Sequence, residues 1–162
     1  MADITYSSKA TERKGSPGVV FGKGDAGNVK ALVSTVELAA SASGSTVFFG
    51  RIPSNARICP TGLIYNDDLA TSGSPTLDIG LGSVDSNVTS DPDAINNGIA
   101  LSSATTTTTI FADPANAALP AWDLVASVTS DPGGELDVYG SVKDAATTAT
   151  GTITVELYYY VD

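Results

Sequence analysis

The carboxylates are the side chains of this sequence whose spacing best suits acid–base chemistry. Three sets lie close together in the chain: Asp67 with Asp68, Asp91 with Asp93, and Glu135 with Asp137. A glycosidase places two such groups across a sugar-sized cleft, and that cleft is usually lined with aromatic rings. Aromatic residues make up 7% of this chain, with one Trp, which disfavours such a cleft. We interpret Glu135 and Asp137 as the solvated outer face of a strand.

Histidine is absent from the sequence, and this removes several kinds of catalytic site at once. Ser-His-Asp and Cys-His arrangements use an imidazole as the base, and imidazole is also the commonest metal ligand. Gly22-Lys23-Gly24 is glycine-rich, but it has neither the flanking strand and helix nor the spacing of a phosphate-binding loop. We therefore expect no enzymatic activity.

Calcium is the cofactor that the sequence fits best, because hard cations bind the oxygens of Asp, Asn and backbone carbonyls. Two regions carry such side chains: Asn66, Asp67 and Asp68 in one, and Asp85, Asn87, Asp91 and Asp93 in the other. Neither has EF-hand spacing, and Asp and Asn are also ordinary turn formers. We expect no resident cofactor, and Ca²⁺ is the alternative.

The negative charge of the chain disfavours nucleic acids and anionic membranes as partners. The net charge is -10 and the isoelectric point is near 4.1, so nucleic acid phosphates and anionic lipids are repelled. No run approaches the roughly 20 apolar residues of a membrane span, and the first ten residues lack the apolar core of a signal peptide. We expect no nucleic acid or membrane partner, and synthesis in a cytoplasm. Cys59 is alone and is expected to be a small buried apolar residue.

The first thirty residues differ in charge and composition from the remainder. Residues 1–30 carry five basic and three acidic residues, whereas residues 31–162 carry three basic and fifteen acidic ones. Five glycines and Pro17 interrupt any helical or strand period, which predicts an extended arm over 1–30 and one domain over 31–162. The candidate binding residues of this arm are Lys9, Arg13, Lys14, Val19, Val20, Phe21, Lys23 and Lys30.

Alternation of apolar and polar residues predicts an all-β domain. Strands are expected over 31–39, 46–52, 56–65, 75–81, 106–111, 122–128, 135–143 and 152–162, and a short helix from Asp91-Pro92 to Gly98. The segment 122–128 is expected to bury Trp122, Leu124, Ala126 and Val128. About eight antiparallel strands favour a single two-sheet sandwich, with a jelly roll as the leading topology.

Three tyrosines are predicted to form an exposed interface patch. Tyr158 and Tyr160 alternate with the apolar side of the last strand, and Tyr139 occupies the corresponding side of the preceding strand. If these two strands are neighbours in a sheet, the three rings lie together, and exposed aromatic patches are enriched at interfaces. The alternative is that a loop or the arm covers the rings.

Two stretches resemble small structural proteins of tailed bacteriophages. Residues 134–162, from Gly-Glu-Leu-Asp-Val-Tyr-Gly to Val-Glu-Leu-Tyr-Tyr-Tyr-Val-Asp, are similar to the ending of these proteins. The segment Thr76–Gly82, followed by Asp85 and the Asp91-Pro92-Asp93 turn, is similar to their middle. The resemblance covers about a third of the chain, and its motifs are structural.

The resemblance implies a head decoration, or cement, protein with a jelly-roll-like sandwich, often trimeric. Such a protein would be made in the host bacterial cytoplasm and would bind across subunits of the major capsid protein on the exterior of the virion. No binding residue carries over from the family. The rival interpretation is a fibre, tail or adhesin-type module that binds a host glycan or receptor, which needs a concave or aromatic-lined patch.

Overall fold

The computed structural model describes residues 29–83 and 88–161 of the chain. These residues form eight strands in two four-stranded sheets. The first sheet has, in spatial order, β1 (Lys30–Leu38), β8 (Gly151–Val161), β3 (Ala56–Asn66) and β6 (Thr105–Thr109). The second sheet has β2 (Thr46–Pro53), β7 (Glu135–Lys143), β4 (Thr76–Ser83) and β5 (Asp91–Ala100). Two short 3₁₀ helices, Pro114–Ala118 and Ala121–Leu124, lie between β6 and β7.

Every strand pairing in the two sheets is antiparallel, and the first strand pairs with the last, the second with the second last, and so on inward. Strand β1 pairs with β8, β2 with β7, β3 with β6 and β4 with β5. In addition, β8 pairs with β3 in the first sheet and β7 pairs with β4 in the second. This is the strand arrangement of an eight-stranded jelly roll. The predicted antiparallel sandwich is confirmed.

The core lies between the two sheets, where the inward side of each strand is apolar. The first sheet contributes fully buried Ile58, Ile64, Ile153, Val155 and Leu157, and the second contributes Ile52, Leu77, Ile79, Leu136 and Val138. Burying one such side chain stabilises the fold by about 1.5–3 kcal/mol. The alternation predicted for the last strand is confirmed over Ile153, Val155 and Leu157, which are buried while their neighbours are not, and that of β7 is confirmed except at Ser141, which is predicted to face outward and is buried.

The strand predicted over 122–128 is wrong. Ala121–Leu124 is a 3₁₀ helix, and its buried residues, Ala121 and Leu124, are one three-residue turn apart. Val125 is buried and Ala126 is exposed, which is the reverse of the predicted alternation. Trp122 is half-buried against the core, and its backbone amide donates to the carbonyl of Ser54 at 2.9 Å. The apolar residues at every second position from 122 to 128 therefore predicted a strand that does not form.

The short helix predicted from Asp91 to Gly98 is also wrong, because these residues belong to β5. Asp-Pro is a helix-start signal, but proline is equally tolerated on an edge strand, and β5 pairs only with β4. The β4–β5 register shifts on both sides of Ile79, and Gly98 has a φ of 71°. The predicted count of eight strands holds because β5 takes the place of the false strand.

A buried polar group fixes one end of the sandwich. The Asn66 side chain is fully buried, and its Nδ2 donates to the carbonyls of Asp67 at 2.9 Å, Ser103 at 3.0 Å and Ala100 at 3.2 Å. The next residue, Asp67, accepts hydrogen bonds from both the backbone N and Oγ1 of Thr152, each at 2.8 Å. The end of β3 is therefore tied to β8 and to the β5–β6 connection.

Several predictions fall on residues that the structure does not describe. Lys30, the last residue of the predicted arm, is exposed and is the first residue of β1. The other arm candidates, and also Gly22-Lys23-Gly24, Asp85 and Asn87, lie outside the described residues. The arm and its boundary at residue 30 therefore stay predictions. None of the helices in the described ranges has the length and apolar character needed to cross a membrane.

Candidate functional site

The predicted tyrosine patch is divided between the two sheets. Tyr158 and Tyr160 lie on β8 in the first sheet, whereas Tyr139 lies on β7 in the second. The prediction that Tyr139 sits on a strand beside β8 is wrong, because the connection after β7 crosses from one sheet to the other. Asp144, with a φ of 61°, begins that crossing, and its carboxylate accepts a hydrogen bond from Thr76 Oγ1 at 2.6 Å. The molecule thus has two separate candidate surfaces.

The first surface is the outer face of the first sheet, called here the β8 face. Strand register places its central side chains in one layer: Val33 and Thr35 on β1, Leu63 and Tyr65 on β3, and Thr154, Glu156, Tyr158 and Tyr160 on β8. Val33 is 61% exposed, and Leu63 and the three tyrosines are half-buried. Among the other outward residues, Glu37 and Arg57 carry charge. The β8 face is therefore broad and sparsely charged.

Several polar atoms of the β8 face are hydrogen-bonded to one another, one pair across two strands and two pairs along the chain. The hydroxyls of Thr35 and Thr154 lie 2.8 Å apart, and the Tyr65 hydroxyl donates to Asp67 Oδ1 at 2.8 Å. The Tyr158 hydroxyl donates to Glu156, and this bond raises the pKa of Tyr158, helped by the charge of Glu156. These bonds hold the side chains in place before any partner arrives, which lowers the entropic cost of binding.

The second surface is the outer face of the second sheet, called here the β7 face. Phe48 on β2 lies directly opposite Tyr139 on β7, and it is 55% exposed. On the other side of β7, Gly80 lies opposite Tyr139 and Gly82 lies opposite Asp137. Gly82 has no side chain, and an open depression of about 340 Å³ lies beside it and the rings, whereas the backbone of Asp91 and Pro92 covers Gly80. The depression is lined by Thr46, Phe48, Gly82, Ser90, Asp137 and Tyr139.

The glycines of β4 are needed because β5 begins close above them. A Cβ atom added to Gly80 would lie 2.6 Å from Pro92 Cα, and one added to Gly82 would lie 2.9 Å from Ser90 Oγ. Real Cβ atoms do not approach other atoms so closely. The path of the chain into β5 therefore covers Gly80 and, through Ser90, forms one wall of the depression beside Gly82.

Charged groups surround this depression unevenly. Arg51 Nε donates to Asp137 Oδ1 at 2.8 Å, and the guanidinium carbon lies 6.0 Å from the centre of the Phe48 ring. A guanidinium at this distance attracts the ring face electrostatically. Asp137 is thus neutralised by its own neighbour on β2.

The carboxylates of Asp91 and Asp93 lie on the other side of Tyr139. The pKa of Asp93 is raised by its hydrogen bond with Asp91, by partial burial and by the nearby charges of Asp91 and Asp78. The pKa of Tyr139 is raised chiefly by burial, and the charges of Asp91 and Asp93 add to this effect. The structure records an ion pair for Asp137 but none for Asp91 or Asp93 in the ranges it describes. Two carboxylates therefore lie near Tyr139, outside the lining of the depression, in which Asp137 is the charged residue.

The paired carboxylates that suggested chemistry or calcium have other partners. Asp67 is held by Thr152 and Tyr65, and these bonds keep its pKa below the usual range. Asp68 Oδ1 accepts the Ala70 amide at 3.2 Å. Across residues 29–83 and 88–161, no three Asp, Glu or Cys side chains are grouped so as to hold a metal ion. Cys59 was predicted to be buried, but it is half-exposed, and burial still raises the pKa of its thiol.

Comparison with known proteins gives one structural similarity of low identity. A chain of the cyanophage Pam1 capsid asymmetric unit is 23% identical, with 98% of this chain and 100% of that chain covered and a TM-score of 0.48. At that identity and TM-score the similarity assigns no function to this chain. No protein-family model and no curated protein matches the sequence.

Sequence reasoning missed the β7 face, although two signals for it were present. Phe48 and Phe49 are consecutive, so in a strand one of them must point outward. Gly80 lies in the strand predicted over 75–81 and Gly82 directly follows that strand, and glycine in a strand marks a close approach of another chain segment. Neither signal reveals that the glycines lie next to the aromatic rings, because that depends on the pairing of β4 with β7.

Proposed function

We propose that this chain is a structural protein of a phage virion that decorates the assembled capsid. It binds across subunits of the major capsid protein on the outer surface of the shell, and it is not an enzyme. The observation that carries the proposal is the β8 face, a broad and sparsely charged surface with exposed Val33 and half-exposed tyrosines. The sequence resemblance supports it as well, since residues 134–162 include both β7 and β8.

The dimensions of the β8 face suit a protein partner. Four strands spaced about 4.8 Å apart and up to roughly 30 Å long present about 600 Å² of surface. A standard protein interface buries about 800 Å² on each partner, so the face supplies most of one. Tyrosine is enriched at such interfaces because it combines a large apolar ring with a hydroxyl.

If the protein is attached to the capsid at several points, weak individual contacts are sufficient for stable binding. A trimer carries three copies of the β8 face and three arms, and linked sites gain affinity from their high effective concentration. Capsid expansion loads the seams between subunits, and a rigid sandwich bound across a seam adds buried area there. The proposal therefore includes a homotrimer and needs no cofactor.

Co-sedimentation with expanded empty capsids of the encoding phage tests this function. The full chain should bind at a fixed copy number per capsid and should stay soluble alone. A chain lacking residues 1–28 serves as the companion sample, because β1 and the rest of the sandwich remain. Reduced but measurable binding of the shortened chain would assign the β8 face the main contact and the arm an additional one. Absence of binding by the full chain would refute the decoration role.

A second candidate function is binding of a host glycan or receptor, and one specific observation favours it. The depression on the β7 face is concave and presents Phe48 beside Tyr139, which is the kind of patch this function requires. A glycan array separates the two functions: glycan binding that Phe48→Ala abolishes would support a receptor module. An array with no binding would leave capsid decoration as the function.

A further inference from the structure

The edge strands of the sandwich differ in how they prevent pairing with another chain. Among the described residues, the edges are β1 and β6 in the first sheet and β2 and β5 in the second. An open edge presents unpaired N–H and C=O groups, and natural proteins block it with short strands, bulges, proline or charges. Strand β6 has five residues, the register of β2 shifts between Phe48 and Gly50, and β5 contains Pro92 and two register shifts. These three edges are therefore blocked.

Strand β1 has none of these features. All nine of its residues pair with β8 without a register shift, from Lys30 opposite Tyr159 to Leu38 opposite Gly151. It contains no proline or glycine, and its two charged residues, Lys30 and Glu37, lie near its ends. Within the described ranges, its backbone is hydrogen-bonded to β8 and to no other segment. Its outer edge is therefore open and regular over about 30 Å.

The inward side chains of β1 also suit an added strand. Leu32 and Val36 lie opposite the buried residues Leu157 and Ile153, and both are half-buried against the core. Ser34 lies between them on the same side and is half-buried as well. A strand beside β1 would cover these three side chains, because residues directly opposite in neighbouring strands lie about 5 Å apart. Pairing would thus extend the apolar core by one strand.

The β1 edge also supplies the area that the β8 face lacks as a protein interface. A strand laid along nine residues covers a strip about 30 Å long and about 5 Å wide, or about 150 Å². With the roughly 600 Å² of the β8 face this makes about 750 Å², close to the about 800 Å² that each partner of a standard interface buries. The two areas are continuous, since Val33 and Thr35 of β1 belong to the β8 face.

We propose that the β1 edge accepts an extended segment of the major capsid protein as an added antiparallel strand. This inference rests on the proposed capsid function and specifies one contact of it. The segment lacks proline and has small or apolar side chains at alternate positions, which continue the row of Leu32 and Val36. It carries an acidic residue near Lys30 and a basic one near Glu37, because opposite charges stabilise cross-strand pairs.

A second copy of this chain fits the β1 edge less well. Residues 31–162 carry three basic and fifteen acidic residues, so two copies joined at this edge would repel each other. The edge alone buries about 150 Å² on each copy, far below the about 800 Å² of a standard interface. A capsid segment gains the β8 face in addition, since the two areas adjoin.

Hydrogen–deuterium exchange at single-residue resolution tests the inference, with the chain free and bound to expanded empty capsids of the encoding phage. In an antiparallel edge strand, alternate amides donate to the neighbouring strand and the others point to the open edge. The outward amides of β1 should exchange at least about 10-fold more slowly in the bound chain than in the free chain. Those of β6, the other edge of the same sheet, should not change.

Ser34→Lys and Thr107→Lys are matched variants on these two edges. Both residues are half-buried and lie on the inward side, opposite buried Val155 and Ile64. An inward lysine on an edge strand blocks a further strand, while its long side chain still reaches water past the open edge. Ser34→Lys should weaken capsid binding at least about 10-fold, and Thr107→Lys less than about 2-fold. Slow exchange of the β8 amides in both variants verifies that the fold is intact.

The outcomes separate this inference from the capsid function. Capsid binding by the full chain with outward β1 amides that stay fast would keep the function and overturn the inference. Protection already present in the free chain would identify another segment of this chain as the occupant, and protection that rises with concentration would identify a second copy. Either result, or equal weakening by the two variants, would also overturn it. Absence of capsid binding by the full chain would refute the function and the inference together.

Discussion

The outer faces of the two sheets follow the same alternation but present different surfaces. On the β8 face, the outward residues Thr154 and Glu156 lie opposite side chains on both neighbouring strands, such as Val33 and Leu63 on either side of Glu156. On the β7 face, Tyr139 lies opposite Phe48 on one side and Gly80 on the other. A continuous layer of side chains makes a flat surface, whereas the absence of a side chain at Gly82, next to Tyr139, leaves a depression. The residue type opposite each ring thus decides what kind of partner a face can bind.

The largest expected effect comes from adding a side chain at Gly80, where the backbone of β5 lies directly above β4. Gly80→Ala places a methyl group against the backbone of β5, which cannot move without disturbing its pairing with β4. We expect the free energy of unfolding to fall by about 2–3 kcal/mol, measured by urea denaturation. Gly82→Ala is the graded control, because the atom it approaches is the rotatable Ser90 hydroxyl. An equal loss for both variants would contradict the role given to the β5 backbone.

The next effect concerns the end of the β8 face and depends on pH. Ionised Asp67 is held by Thr152 and Tyr65, which keep its pKa below the ordinary value of 3.8. Its contribution to stability is therefore present above that value and is lost as the pH falls through the lowered pKa. Asp67→Asn should lower the free energy of unfolding at pH 7, and the difference from wild type should shrink below pH 4. Asp68→Asn, at an exposed neighbour, should show a smaller difference, and a pH-independent loss in Asp67→Asn would contradict the account.

Removing the ion pair between Arg51 and Asp137, on the rim of the depression, is expected to change the free energy of unfolding less. Arg51 and Asp137 have side chains that are 46% and 26% exposed, so water screens their attraction. Arg51→Ala should cost about 0.5 kcal/mol or less in urea denaturation. A loss above about 2 kcal/mol would show that this pair is structural rather than part of an exposed rim.

The smallest effect distinguishes the two tyrosine environments without changing stability. The pKa of Tyr158 is raised mainly by its hydrogen bond to Glu156, whereas that of Tyr139 is raised mainly by burial. Glu156→Gln should move the pKa of Tyr158 back toward 10.0 and leave that of Tyr139 unchanged. Titration of the ring ¹³C signals by NMR measures both. A shift of Tyr139 in this variant would mean that the two faces are electrostatically coupled.

Local sequence was enough to predict elements whose periodicity is long and regular. Ile153, Val155 and Leu157 alternate with polar residues over most of β8, and a strand is the only regular structure that separates them onto two faces. Asp91-Pro92 was misread because the same two residues suit a helix start and an edge strand. The difference is set by β4, the pairing partner of β5, and not by β5 itself.

The candidate surfaces were harder to predict because they depend on pairings that are distant in sequence. Two contacts tie β7 to β2: Tyr139 lies opposite Phe48, and Asp137 accepts a hydrogen bond from Arg51. In each contact the β2 residue lies more than eighty residues earlier in the chain. Two consecutive strands with a short connection suggested a hairpin, and the jelly roll instead sends β7 and β8 to different sheets. Tyr139, Tyr158 and Tyr160 are half-buried, and the first lies on a different sheet from the other two, so the predicted single group is wrong.

The measurement that most directly tests the central claim compares capsid binding by two matched variants. Val33→Glu places a charge on the β8 face, on the edge strand β1 opposite Glu156, and Phe48→Glu places one at a similarly exposed position on the β7 face. Co-sedimentation with expanded empty capsids should show binding at least about 10-fold weaker for Val33→Glu, since a buried unpaired charge costs more than 1.4 kcal/mol, and near-normal binding for Phe48→Glu. Weakened binding of Phe48→Glu with normal binding of Val33→Glu would contradict the claim that the β8 face binds the capsid.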